Sequence, residues 1–374
     1  LRTTNPSRTP TVTGLRITSD AKAAGDWTER IDVLDTDNPR IVRSSIPFEC
    51  ERYDHPALQT LRRTYHLDDI VAETDDEWQL IQRLADWSAD RWNGIGHLGK
   101  AYPPWNALEI LKPHADGTPV GGFCLQFNLV FLQACESFGI PGRVVSLGPG
   151  ALKGISRGGH EVVEVWSNTH RKWIYIDGQF AWYFRDSKSA APLSLWELRK
   201  RQIAAVRGET HPAVEVVHIG APRRAWSGLK DWPPFIELRL VPRSNFLGQA
   251  SPLPLNQGMR GWFWTGHHVW SDEQVPAREI YDHRVGAQNN WQWTLNQAHA
   301  VLEATQTPGV VRVHLDTQTP GFDTFMARID DGDAGPVESG FLWKLRAGVN
   351  QLVVWPRNHA GRDGIPCRFK LRYE

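Results

Sequence analysis

Cys124 follows Gly121 and Gly122 at the head of the apolar stretch CLQFNLVFLQACESFG, and His160 and Asp177 bound the runs HEVVEVW and KWIYID farther along. A thiol attacks a carbonyl carbon only as thiolate, and the unpaired N–H groups and dipole at a helix N-terminus favour that form. The same N–H groups can hold the oxyanion of a tetrahedral intermediate. Gly121 and Gly122 leave room for a substrate backbone to approach, which makes Gly122 a candidate binding position. Taken alone, Cys124 reads as a small core side chain, because a free cysteine packs as a hydrophobe. The two runs downstream reverse that reading. If they form a hairpin with a loop at Ser167 to His170, Trp166 pairs with Arg171 and His160 stands opposite Asp177. Opposed side chains have Cβ atoms about 5 Å apart on one face, a spacing that lets a carboxylate orient an imidazole. A slip of one residue would separate them, but Val163, Val165, Ile174 and Ile176 form an apolar set on the other face that fixes the parity. Nucleophile, base and orienter then form a cysteine triad, Cys124, His160 and Asp177.

Those elements must be positioned by a core. TDDEWQLIQRLADWSADRW carries Trp78, Ile81, Leu84, Ala85, Ser88 and Trp92 at helical spacing, with Thr74 and Glu77 in capping-box positions. The helix from Cys124 is apolar nearly all round and is expected at the centre, ended by Gly139 and Pro141 before the strand RVVSL. A glycine-rich loop leads into the hairpin, and LSLWELRKRQIAAV is a further helix with LRKRQ on its solvated face. Beyond it the texture is β-like, with FIELRLVPR, GVVRVHLDT, FDTFMARID, GFLWKL and GVNQLVVWPRN at sandwich spacing. Boundaries are expected near 65 and 215: an N-terminal extension at 1–65, a catalytic core at 66–215 and a β-rich region with a sandwich module at 216–374.

Order and spacing resemble the transglutaminase-like superfamily, whose core is a circularly permuted papain type. The matching pieces are Gly122-Phe123-Cys124, Gly139-Ile140-Pro141-Gly142-Arg143, His160 followed by Glu164-Val165-Trp166, and Trp173-Ile174-Tyr175-Ile176-Asp177. The resemblance spans roughly residues 70 to 200. It implies an α+β fold with an antiparallel sheet on a central helix, Cys124 as nucleophile, His160 as general base and acid, and Asp177 as orienter. It also implies a tryptophan lining the site upstream of the cysteine, for which Trp105 is the first candidate and Trp92 the second. Val162 replaces a frequent aromatic, Gly142 a frequent alanine, and Asp177-Gly178 a frequent Asp-Pro, marks of a divergent branch.

Composition narrows the classes further. With 42 basic and 42 acidic residues there is no global field for nucleic acid, and no apolar run reaches the roughly 18 residues of a membrane span. The four cysteines show no CxxC pair, and Cys124 and Cys135 lie about 16 Å apart along one helix, so neither a zinc ribbon nor a disulfide between them is expected. Cys135 reads as core. No cofactor or metal is implied. The 18 tryptophans suggest either core filling or sugar-stacking surfaces, and Trp262, Trp264 and His267 in GMRGWFWTGHHVW form a candidate platform for a glycan or peptide. Asp330, Asp331 and Asp333 lack the ligand order of a calcium loop and read as a hairpin turn. The polar, proline-bearing start resembles the tail left by signal removal and points to a secreted or periplasmic protein. The expected function is cysteine-dependent cleavage of an amide or peptide bond through an acyl-enzyme. A glycan-cleaving enzyme on the same scaffold is the alternative, and a non-catalytic binding module the second.

Overall fold

The structure is a computed structural model that describes residues 26–92, 104–117, 121–155, 157–209, 213–226, 228–230, 233–248, 268–275 and 283–374. Two compact units emerge. One comprises Val42–Thr294 with His359–Arg362; the other takes the chain up to Ile41 with Leu295–Asn358 and Asp363–Glu374. These limits differ from those expected at 65 and 215, because strand β1 (Ile31–Asp37) pairs with the last strand of the chain, β16 (Cys367–Tyr373). An early segment thus completes the C-terminal sheet.

The larger unit holds helices α1 (Pro56–Thr64), α2 (Leu67–Val71), α3 (Glu77–Ala89), α4 (Ala107–Ile110), α5 (Cys124–Glu136) and α6 (Leu195–Arg207). Its main sheet runs through β2 (Gly142–Gly148), β3 (His160–Ser167), β4 (Lys172–Ile176), β7 (Glu237–Leu240), β8 (His268–Trp270) and β9 (His283–Val285). They lie in the order β4-β3-β2-β7-β8-β9, antiparallel except for the β8–β9 pair. Strands β5 (Trp182–Asp186) and β6 (Val214–His218) form a separate pair. FIELRLVPR therefore extends the core sheet and is no part of a sandwich.

α5 is the central helix, and every one of its residues after Cys124 is buried. Its Leu, Val and Phe side chains pack with Ile81, Leu84 and Ala85 of α3 and with Val144, Val163, Val165, Ile174 and Ile176 of the sheet. The apolar set that the sequence marks as one face of the hairpin is the face laid against α5. At the start of α3 the cap differs from the expected box. Asp76 is the N-cap and accepts from the Gln79 N–H at 2.8 Å, while Glu77 accepts from Ser167 and Thr169 at the β3–β4 turn. The basic run on α6 is also less solvated than expected. Arg199 is buried and pairs with Asp272 at 2.7 Å, and Arg201 pairs with Asp186.

The hairpin register is corrected by the structure. Ser167 pairs with Lys172 and Trp166 with Trp173, so the turn occupies Asn168 to Arg171. Arg171 adopts the left-handed conformation, φ 52°, and closes the turn itself, which leaves Ser167 in the strand. The shift is two residues, an even number, so His160 and Asp177 keep a common face and become diagonal neighbours.

The smaller unit is a sandwich. Strands β10 (His299–Ala304), β11 (Val310–Asp316) and β14 (Gly340–Lys344) form one sheet, and β12 (Phe322–Ile329), β13 (Gly335–Val337) and β15 (Gly348–Asn358) join β1 and β16 in the other. Alternate residues, among them Val311, Val313, Leu352, Val354, Phe369 and Leu371, meet in one core with Trp343. The Asp330 turn links β12 to β13 as a hairpin. The Asp330 carboxylate accepts from the Gln351 N–H and pairs with Arg346.

Candidate active site

Cys124 is the first residue of α5 and the one residue of that helix left partly exposed. Phe123 is the N-cap; a phenyl ring cannot accept, and the Gln126 side chain reaches back to take the Phe123 N–H at 2.9 Å. The Cys124 sulfur receives the Glu161 backbone N–H at 3.4 Å. Helix start and strand N–H thus present positive dipoles to one sulfur.

His160 opens β3 and is 1% exposed. Its Nε2 lies 2.6 Å from Asp177 Oδ2, the contact that the diagonal register permits. With Nε2 engaged, Nδ1 is the nitrogen left for exchange with the sulfur. Burial alone would drive this imidazole toward neutrality, but the charge and hydrogen bond of Asp177, joined by contact with Cys124, outweigh it and raise His160 to about 10. Asp177 is fully enclosed and fully used: Oδ1 accepts from the Gln179 N–H at 2.8 Å, and the Tyr175 hydroxyl lies 3.4 Å from Oδ2. Burial pushes the Tyr175 phenol well above its usual range, so it remains a donor, and it accepts in turn from Trp182 Nε1 at 3.1 Å.

Three further residues join the site without a motif to announce them. Asn128, one turn along α5, donates from Nδ2 to the Cys124 carbonyl at 2.9 Å and the Glu161 carbonyl at 2.8 Å, and accepts the Gly178 N–H at 2.8 Å. The signal was present in the sequence as an amide four residues after the cysteine, one of three amides on a largely apolar helix. Phe180 stacks on His160 with ring centroids 5.8 Å apart, and the guanidinium of the exposed Arg224 lies over the Phe180 ring, 5.4 Å from its centre. Phe180 follows Asp177 by three residues, whereas Arg224 lies on a segment with no pattern to mark it.

Other residues of the resemblance do structural work. Arg143 and Glu164, directly opposed on β2 and β3, form a fully buried pair at 2.5 Å, and Glu164 also accepts the Leu195 N–H at the start of α6. The Arg143 guanidinium lies 4.1 Å from the ring centre of Trp173 and 4.5 Å from that of Trp293. The buried charge is paired through Nε and Nη2 and lies against ring faces, while Nη1 has no hydrogen-bond partner among the described residues.

The candidate binding residues separate. Trp92 packs edge-on against Phe127, one turn from the cysteine, and a Cβ on Gly122 would come 3.5 Å from its ring and 2.7 Å from Gln126 Cβ. Gly122 is thus a close-approach glycine against α5, and the room it makes is taken by the protein. Trp105 is anchored elsewhere: its carbonyl accepts from Gln133, nine residues down the helix and about 13 Å along its axis, and its ring packs on Phe246. Of the two tryptophans, Trp92 is the one packed beside the start of α5. Trp262, Trp264 and His267 lie outside the described residues. Among the described residues no group of three or more His, Cys, Asp or Glu side chains is arranged to hold a metal ion, and no helix is long and apolar enough to cross a membrane.

Residues 66–178 match the family model of the transglutaminase-like superfamily, a segment that contains Cys124, His160 and Asp177. Among solved structures, that of red sea bream transglutaminase is similar at 11% identity with a TM-score of 0.28, over 88% of this chain and 60% of that one. The chain thus spans less than two thirds of that transglutaminase. No curated protein matches it.

Proposed function

We propose that the protein is a cysteine hydrolase that cleaves an amide or peptide bond through an acyl-enzyme. One observation carries this: a partly exposed sulfur at a helix N-terminus receives a strand N–H beside an imidazole held by a buried carboxylate. On this reading the Cys124 thiolate attacks the carbonyl carbon, and the oxyanion forms near the first N–H groups of α5. His160 delivers a proton from Nδ1 to the departing amine as the C–N bond breaks and a thioester remains. Water then gives its proton to the same nitrogen, adds to the thioester carbonyl, and releases a carboxylic acid and the thiol. An amine in place of water would make the reaction a transfer. Of the described tryptophans, Trp166, Trp173, Trp182, Trp291 and Trp343 are buried in cores, while Trp78, Trp226 and Trp355 are half-buried.

The test is a set of peptide anilides and polysaccharides offered to the protein and to Cys124→Ala, with iodoacetamide kinetics on the former. Amide cleavage that falls at least about a thousandfold in Cys124→Ala supports the proposal. Polysaccharide cleavage that survives the substitution, or a thiol that alkylates like a free cysteine of pKa about 8.5 and ignores His160→Ala, overturns it.

A further inference from the structure

We infer that Asn128 is a positioning residue that locks the three parts of the triad together, an inference that rests on the function proposed above. Each of its carboxamide bonds ends on a peptide next to a triad member. Nδ2 holds the carbonyl of Cys124 itself and the carbonyl of Glu161, the residue after His160; Oδ1 holds the N–H of Gly178, the residue after Asp177. The three segments come from one helix and the ends of two paired strands, and Asn128 bonds to all three. Asn128 is fully buried, and its two amide protons and its oxygen are all engaged, so the side chain has one rotamer in which to sit.

The Glu161 bond is the informative one. The same residue that gives its carbonyl to Asn128 gives its N–H to the Cys124 sulfur. Fixing that carbonyl fixes the strand segment that aims the N–H at the sulfur and carries the His160 ring. The Gly178 bond fixes the end of β4 where Asp177 meets His160. A side chain at 178 is excluded, since a Cβ there would lie 2.7 Å from Phe131 Cβ and 3.1 Å from the Phe127 carbonyl. A proline would in addition remove the N–H that Asn128 accepts. Asn128 and Gly178 are therefore one device.

Asn128→Ser and Asn128→Asp test it, read by the pH profile of Cys124 alkylation together with kcat and KM on any amide substrate found. Asn128→Asp keeps the shape and the acceptor for Gly178 but loses the paired donors. Both variants should alkylate about tenfold more slowly near pH 6, with the acid limb of the profile displaced upward by about one pH unit, and should lose kcat with little change in KM. A folded variant whose profile matches the parent overturns the inference, while a parent lacking any His160-dependent reactivity overturns the proposed function instead. If both variants fail to fold, NMR of the unaltered protein decides. The Asn128 amide protons must shift with the midpoint of the alkylation profile, and amide protons indifferent to it would sink the role.

Discussion

At the scale of single residues, the site depends on how a buried carboxylate sets the state of its neighbour. Asp177 is the source of the positive bias on His160, since burial works in the opposite direction. Asp177→Asn retains the size of the side chain and removes the charge, so the imidazole loses the partner that holds its proton and no longer places a positive charge beside the sulfur near pH 7. Alkylation of Cys124 near pH 6 should fall at least about tenfold in Asp177→Asn, with the folded structure kept by circular dichroism. Equal rates in the two proteins would remove Asp177 from the triad. Cys124, His160 and Asp177 were all legible from residue type and order. Asn128 was passed over because periodicity weighs apolar positions, and it is one of three amides on that helix with nothing in the chain to single it out. Its importance lies in where its three bonds end, which is a property of the fold.

At the scale of elements, two short segments hold α3, α5 and the hairpin in place. Asp76 caps α3 through the Gln79 N–H, and Asp76→Ala should cost about 1 kcal/mol in urea unfolding. No loss would mean that Thr74, which accepts the Asp76 N–H, supplies the cap. Gly178→Ala forces a methyl group against Phe131 and the α5 backbone, at a cost of about 1–3 kcal/mol, and should lower Cys124 reactivity along with stability. A neutral Gly178→Ala would show that the end of β4 is free to move away from α5. The hairpin shows which part of an element the chain alone can specify. The alternation of Val163, Val165, Ile174 and Ile176 determines the face, because either odd slip would bury polar groups against α5. It does not choose between registers two residues apart, and the left-handed Arg171 made that choice.

At the scale of the whole chain, the buried imidazole links folding to pH. His160 binds its proton more tightly folded than unfolded, so its stabilising contribution is complete below about 6.5 and is lost as the pH rises toward about 10. Urea unfolding of the protein and of His160→Gln should therefore show a stability gap that is largest near pH 6 and narrows toward pH 10. A gap that widens with pH would mean that His160 is neutral in the native state. The two units were only half visible in advance. The sandwich pattern of the last eighty residues stands out by alternation, whereas the return of Ile31–Asp37 to pair with Cys367–Tyr373 joins residues at opposite ends of the chain. Pairing over such a separation leaves no local mark.

The sequence by itself determined the α+β class, the central apolar helix headed by Cys124, the hairpin face and the three side chains that head the candidate site. These follow from periodicity, caps and residue chemistry, which act over a few residues. Tertiary structure decided the register that makes His160 and Asp177 diagonal, the strand N–H aimed at the sulfur, the nearness of Trp92 rather than Trp105, and the buried amide that ties the three segments. Each of those depends on which backbone groups remain unpaired once α5, β3 and β4 have packed, a quantity that exists only in the folded chain.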